Sequence, residues 1–206
     1  MATTKAPLFG LDASGTIGGA IVFSKWRGRT YVRRHAIPAN PQSGLQVGMR
    51  SNLKFISQIW SSLNTAQRAA WAPLAAVDNI TDLNAMTRDA QRRARLNDAP
   101  RRGPSEAAGT AASAPTIGAI VEQYKTLVVP WTPGATAPQW AWAVYLSKTP
   151  GFTPDISNQI AIVPAATVTL TVPKLDSGIP YYFRIVGINF DGEWGTASTE
   201  ATGTPD

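Results

Sequence analysis

Residues 20–37, AIVFSKWRGRTYVRRHAI, set β-branched and aromatic residues among polar ones in two short runs, broken at Arg27–Gly28. Such runs around a glycine-bearing turn predict a β-hairpin, with strands over Ala20–Trp26 and Arg29–Ile37. If the loop has two residues, Gly28 takes the positive φ that such turns need. Trp26 then opposes Arg29, Ser24 opposes Tyr31, Phe23 opposes Val32 and Ile21 opposes Arg34. Successive side chains alternate between faces. Ile21, Phe23 and Val32 therefore share an expected core face, and Val22, Trp26, Arg29, Tyr31 and Arg33 share an aromatic and basic one.

Beyond Pro38-Ala-Asn-Pro41, whose prolines keep their predecessors extended, the period lengthens. Leu45, Met49, Leu53, Ile56, Trp60 and Leu63 step by three and four, predicting an amphipathic helix from Ser43–Gly44. Polar Asn52 interrupts the stripe, and Gly48 weakens the first turns. Asn64 or Thr65 begins a second helix, with Gln67 placed for a capping box and Pro73 shortening or kinking it. Trp60, Leu63, Trp71 and Leu74 are the expected core of a helical hairpin. A third helix is expected from Thr81 or Asp82 to Asn97, with Leu83, Met86, Ala90 and Ala94 inward. Its far end carries Arg88, Arg92, Arg93 and Arg95, where cations suit the helix dipole. Residues 98–115, DAPRRGPSEAAGTAASAP, have no apolar period and read as a linker.

From residue 116 the period is two. Leu127–Trp131 precedes a Thr-Pro-Gly turn, and Trp140–Ser147 alternates Trp140, Trp142, Val144 and Leu146 against Ala141, Ala143 and Tyr145. Val168, Leu170 and Val172 alternate with threonines. Tyr181, Phe183 and Ile185 form a further strand, with Asp191–Gly192 turning before Trp194. Short strands between turns over about 90 residues predict a β-sandwich. The expected organisation is an α+β module over 1–97 (a β-hairpin plus two or three helices), a linker over 98–115 and an all-β immunoglobulin-like sandwich over 116–206.

Charge sharpens this division. Of the net +6, residues 1–104 hold +10 and residues 105–206 hold −4. Lys25, Arg27, Arg29, Arg33 and Arg34 crowd the hairpin, beside His35, the sole histidine. A basic half attracts nucleic acid or an acidic protein surface, and charge alone does not choose. The 206 residues contain no cysteine, which removes disulfides, thiolate metal sites and cysteine nucleophiles. No HExxH, GxSxG or paired-carboxylate motif occurs, and the glycines 15, 18 and 19 lack the lysine of a phosphate-binding loop. The reading is of no enzyme and no cofactor. No charged-then-apolar leader and no span of about 20 apolar residues is present, so neither secretion by the usual route nor a membrane is expected.

Two resemblances add to this. Trp131 in LVVPWTPG, the spacing of Leu175-Asp-Ser-Gly-Ile-Pro-Tyr181, the run Tyr181–Asn189 and Asp191-Gly192-Glu193 resemble a fibronectin type III domain over roughly residues 115–204. That resemblance implies a core tryptophan at 131 and a corner tyrosine at 181. Gly187 stands where alanine is commoner in the family, and QIAIVPAA at 159–166 is less typical of it. GTIGGAIVFSKWRGRTYVRR, Pro38-Ala-Asn-Pro41 with Gln46 and Arg50, Trp60-Ser-Ser-Leu63 and Gln67-Arg68-Ala-Ala-Trp71 resemble a module of tailed-bacteriophage structural proteins, over about residues 9–95.

These resemblances imply a virion component assembled in the host cytoplasm, expected as a tail or head–tail accessory or fibre-anchoring adaptor present in many copies. Its expected partners are other virion proteins (portal, adaptor, fibre or capsid) and further copies of itself in a ring or other homo-oligomer. Lys25, Trp26, Arg27, Arg29, Tyr31, Arg33 and Arg34 are the expected interaction residues. Trp60, Trp71, Trp131 and Tyr181 are the expected structural core. A capsid decoration protein is the near alternative, and a nucleic-acid binder using the basic half, with Trp26, Tyr31 and His35 stacking on bases, is a further one. A host-glycan contact through Trp140, Trp142 or Trp194 is a last expectation.

Overall fold

The structure, a computed structural model, describes residues 2–3, 15–36 and 42–206. Its contacts divide the chain into two units, Met1–Pro41 and Gln42–Asp206. Most of the expected N-terminal arm, and the Pro38–Pro41 connector, lie outside the described residues.

In the first unit, strands β1 (Ala2–Thr3), β2 (Gly15–Ile17), β3 (Ile21–Trp26) and β4 (Arg29–Arg34) form an antiparallel sheet in the order β1-β4-β3-β2. Arg27 and Gly28 both take positive φ, 49° and 77°, as a type I′ loop requires. The register is the expected one: Trp26 faces Arg29, Ser24 faces Tyr31, Phe23 faces Val32 and Ile21 faces Arg34. The expected core face is not a core, however. Among residues 15–36 only Thr30 is buried; Phe23 and Val32 are half-buried, and Ile17 and Ile21 are exposed. Four short strands have too little apolar surface to close a core of their own.

The second unit holds four helices: α1 (Gly44–Trp60), α2 (Thr65–Ala69), α3 (Ala72–Asp78) and α4 (Asp82–Arg95). Asn64 closes the expected capping box with Gln67. The second helix stops short at Ala69, as one of the two expected effects of Pro73, and the proline itself sits in the first turn of a new helix, α3. Thr81 caps α4, its Oγ1 accepting from the Asn84 N–H at 3.3 Å.

Eight strands follow: β5 (Thr116–Ile117), β6 (Val121–Gln123), β7 (Thr126–Thr132), β8 (Ala141–Ser147), β9 (Gln159–Pro164), β10 (Thr169–Pro173), β11 (Tyr181–Ile188) and β12 (Ala201–Gly203). They make one antiparallel sheet of order β10-β7-β5, with β6 also on β7, and a second of order β12-β11-β8-β9. The sheets share a buried cluster that includes Leu127, Val129, Trp131, Trp142, Val144, Phe183 and Ile185. Trp131 and Trp142 meet edge to face, centroids 6.4 Å apart. The Asp176 N–H donates to the Tyr181 hydroxyl at 3.0 Å, pinning the turn that leads into β11.

The domain boundary differs from the expected one. Ala141, Ala143, Tyr145, Val186 and Ile188 form a second buried cluster with Phe55, Ile56, Trp71 and Met86 of the helical region. Strand β8 is therefore buried on both sides, and the helices belong with the sheets rather than with the hairpin. An apolar outer sheet face cannot stay in water while an amphipathic helix is at hand.

Helix α1 has the expected span but a different phase. Leu45 and Leu53 are exposed, whereas Gly48, Ser51, Asn52, Phe55 and Ile56 are buried. A Cβ on Gly48 would fall onto the Ile156 carbonyl oxygen, and one on Gly44 onto that of Ser157. These glycines let the helix backbone touch the 156–157 segment. Ser51 then accepts from Gln159 Nε2 at 2.6 Å.

The expected linker is a strap. Ala99 and Ala112 are fully buried, the Arg102 N–H donates to the Phe190 carbonyl at 2.8 Å and the Thr196 N–H to that of Ala112 at 2.9 Å. Its small residues allow close approach. A Cβ on Gly187 would lie 2.7 Å from the Ala112 Cβ, which accounts for glycine at that position.

Candidate functional site

The hairpin sheet concentrates cations on a surface that folding leaves open. Residues 15–36 contain five Lys or Arg and no Asp or Glu. On one face Trp26, Ser24 and Val22 stand beside Arg29, Tyr31 and Arg33. Trp26 is 64% exposed, with the Arg27 guanidinium 4.8 Å from its ring centroid. That stacking suits a side chain held at positive φ, a conformation that costs a non-glycine residue about 1 kcal/mol. Tyr31 is half-buried, while Arg29, Arg33, Arg34 and Lys25 are exposed. Lys25 and Arg34 share the other face with Ile21, Phe23 and Val32. Pairing of Ile17 with Ile21 adds Ile17, 52% exposed, to that face. Ile17 was missed in the sequence because two glycines separate it from the β-prone run.

The seven expected interaction residues thus lie on one small sheet: Trp26, Arg29, Tyr31 and Arg33 on one face, Lys25 and Arg34 on the other, and Arg27 in the turn between the strands. An exposed indole flanked by Arg29 and Arg33 presents apolar area and positive charge together on this face.

The residues expected as core are placed less uniformly. Trp71, Trp131 and Tyr181 are buried, Trp60 is half-buried, and Leu74 is exposed. Trp60 stacks with Arg68, whose guanidinium carbon is 5.8 Å from the ring centroid. The tryptophans named for glycan contact are largely committed elsewhere. Trp140 packs edge to face on Phe55 at 4.9 Å, and Trp142 is fully buried, its Nε1 donating to the Ala165 carbonyl at 3.1 Å. Trp194 is half-buried and donates to the Asn97 carbonyl at 2.9 Å. A stacking platform for sugars needs exposed rings, and Trp140 and Trp142 do not supply one.

The arginines near the end of α4 are largely spent on the fold. Arg101 grips Asp89 with two 2.9 Å bonds, and Arg102 grips Glu106 at 2.7 and 3.0 Å. Arg93 donates to the Ala99 and Gly192 carbonyls, tying α4 to both the strap and the β-turn after β11. Arg88 pairs with Asp78, and its guanidinium holds that carboxyl below the usual carboxylate range. Lys148 does the same to Asp176. Both pairs are exposed and contribute little.

Burial pushes the Tyr145 phenol up, and the Asp155 carboxylate adds to the shift. The folded chain keeps this phenol neutral, while the unfolded chain ionises near pH 10. With the folded value above the unfolded one, the contribution is full below about pH 10 and is lost as pH rises past it, by up to about 1.4 kcal/mol per pH unit. The melting temperature should therefore fall more steeply from about pH 10 to about 11.5 than in Tyr145→Phe. Parallel curves would show that the phenol is already hydrated in the folded state.

Among the described residues no cluster of three or more His, Asp or Glu could hold a metal ion, and no helix is long and apolar enough to cross a membrane.

No protein-family model matches the chain, and no curated protein matches it. Among solved structures it is similar to a β-1,2-glucanase from Parabacteroides distasonis, at 16% identity and TM-score 0.42, over 50% of this chain and 14% of that one. It is similar to pectate lyase PelI from Erwinia chrysanthemi, at 19% identity and TM-score 0.38, over 44% of this chain and 28% of the other. An Fn3-like protein from Clostridium thermocellum aligns at 20% identity and TM-score 0.36, over 45% of this chain and 92% of its own. The chain thus spans well under a third of the glucanase and the lyase. Its fold is one of mixed helices and antiparallel sheets, with an Fn3-like protein among its structural neighbours.

Proposed function

We propose that the chain is a non-enzymatic structural component of a tailed-phage particle, a tail or head–tail adaptor that docks through the 15–36 sheet onto an acidic surface of a neighbouring virion protein. The observation that carries this reading is a sheet with five cations and no carboxylate, in which Trp26 is 64% exposed and only Thr30 is buried among residues 15–36. A sheet so poorly self-covered gains its stability on contact. The particle itself is supported by the sequence resemblance of residues 9–95. The second unit is read as a fibronectin type III-like sandwich braced by helices. Strands β12-β11-β8-β9 against β10-β7-β5, with Tyr181 bonded to the Asp176 N–H, support that reading. Repeated in a ring, modest docking contacts would cooperate.

Arg29→Glu with Arg33→Glu tests the docking. Both side chains are exposed, so circular dichroism and melting should stay close to wild type. Incorporation into purified particles should fall at least tenfold. Incorporation at the wild-type level would overturn the assignment of this surface, and a tag signal spread over the whole capsid would replace the adaptor with a decoration protein. Loss of a steeply salt-dependent DNA affinity in the same variant would point to nucleic acid instead.

A further inference from the structure

Tyr145 stands on β8 in the cluster shared with the helices and is 2% exposed. A buried tyrosine hydroxyl ordinarily finds a hydrogen-bond partner. This one has none among the described residues. Its interactions are an edge-to-face contact with Trp194, centroids 6.3 Å apart, and the nearby charge of Asp155. Burial and that carboxylate keep the phenol protonated at neutral pH, so its proton is free to be donated.

The side chain lines a cavity of about 160 Å³. Tyr145 and Val186 come from the neighbouring strands β8 and β11, Trp194 and Ala197 from the chain after β11, Pro154 from the loop before β9, and Asn97 from the end of α4. No charged side chain is among the lining residues. The other polar side chains there are engaged. Trp194 Nε1 donates to the Asn97 carbonyl at 2.9 Å. The Asn97 amide accepts from the Ile156 N–H at 3.2 Å and reaches the Pro154 carbonyl at 3.5 Å. A water in this space would find one free side-chain partner, where a held water makes about two to four bonds.

We propose that this cavity binds one uncharged six-membered aromatic ring bearing a single hydrogen-bonding group, which pairs with the Tyr145 hydroxyl. The volume suits one ring, since an apolar cavity of about 150 Å³ takes up benzene. The ring would extend the Tyr145–Trp194 pair with a further edge-to-face or offset contact. A charged ligand is disfavoured, because nothing in the lining would pair it. A sugar is disfavoured too, because most of its hydroxyls would stay unpaired. The ring arrives either as a free small molecule or as the tyrosine side chain of a partner.

The test uses the full chain at neutral pH with 4-fluorophenol as probe, followed by fluorine NMR. Saturable binding is expected with a Kd of about 1 mM or tighter, the range for so few atoms. The Trp194 indole N–H and the Ala197 methyl resonances should shift with it. Tyr145→Phe should weaken 4-fluorophenol at least about fivefold and leave fluorobenzene, which has no hydroxyl to pair, within about twofold. Cyclohexanol should displace the probe at least about fivefold less well than phenol. The blocked peptide acetyl-Gly-Tyr-Gly-amide separates the two sources. Displacement of the probe by the peptide assigns the ring to a partner's tyrosine, and no displacement assigns it to a free molecule. The proposal is overturned if 4-fluorophenol does not saturate by about 20 mM, or if the shifts lie away from Trp194 and Ala197. It is equally overturned if Tyr145→Phe leaves the 4-fluorophenol affinity unchanged, or if cyclohexanol competes as well as phenol.

Discussion

Trp71→Ala is expected to lower the stability of the second unit by ~3–5 kcal/mol, the range for removing a buried large aromatic side chain. Trp71 is fully buried at the junction of α2 and α3, within the cluster that joins the helices to the outer face of β8 and β11. Its Nε1 also donates to the Arg102 carbonyl at 3.0 Å, so the same side chain fills the helix–sheet space and fastens the strap. In a unit of this size the loss corresponds to a fall of roughly 6–20 °C in melting temperature. Trp71→Phe should fall between wild type and alanine. It restores much of the apolar volume but leaves the carbonyl of Arg102 without its donor, a cost of about 1–3 kcal/mol if water cannot reach it. A loss below ~1 kcal/mol for the alanine variant, against the range expected for a packed site, would show that the helices do not rest on the sheet.

Gly48→Ala reverses a familiar sign. In an exposed helix interior that change stabilises by roughly 0.5–1 kcal/mol, because glycine loses more backbone freedom on folding. Here the new methyl would fall onto the Ile156 carbonyl oxygen and stand 2.9 Å from the Ile156 Cδ1. Two backbones would have to separate. The expected destabilisation is about 2–3 kcal/mol or more, at or above the usual cost of overpacking, read as a lower urea midpoint. Ser57→Ala, on the exposed side of α1, should stay within about 0.5 kcal/mol. A more stable Gly48→Ala protein would contradict the close helix contact.

These two positions also mark what sequence periodicity could and could not reach. The start of α1, the Asn64 cap, the extent of α4 and the hairpin register follow from local chemistry, in which each residue acts on neighbours within a few positions. The phase of α1 does not. Its leucines at 45 and 53 are exposed, and its small face of Gly48, Ser51 and Asn52 is buried, because the surface it meets is backbone at 156–157 and the polar Gln159. Hydrophobicity says nothing about a contact made through carbonyl oxygens. The strap at 98–115 was hidden for a similar reason. Alanine, glycine and proline look alike whether they are solvated or wedged under a strand, and only the partner distinguishes the two. Trp140 departs from its strand's alternation, packing with Phe55 while Trp142 packs inward with Trp131, since it precedes β8 and is not bound by the pleat. At the candidate docking surface the charge pattern was legible, but the open state of Ile17 and Ile21 was not. An apolar alternation signals a face without saying whether the chain supplies its cover.

The packing of early helices on late strands has a consequence for how the chain is made. The Ser51–Gln159 bond spans 108 residues and the Arg93–Gly192 bond spans 99. At a ribosome adding about 5–20 residues per second, the helices wait roughly 5–20 s for their platform to emerge. During that time Phe55, Ile56 and Trp71 have no sheet to cover them. Folding of this unit is therefore set by late closure of long loops, with slow kinetics for its size. A nascent chain halted before β11 would be a substrate for chaperones rather than a half-built domain.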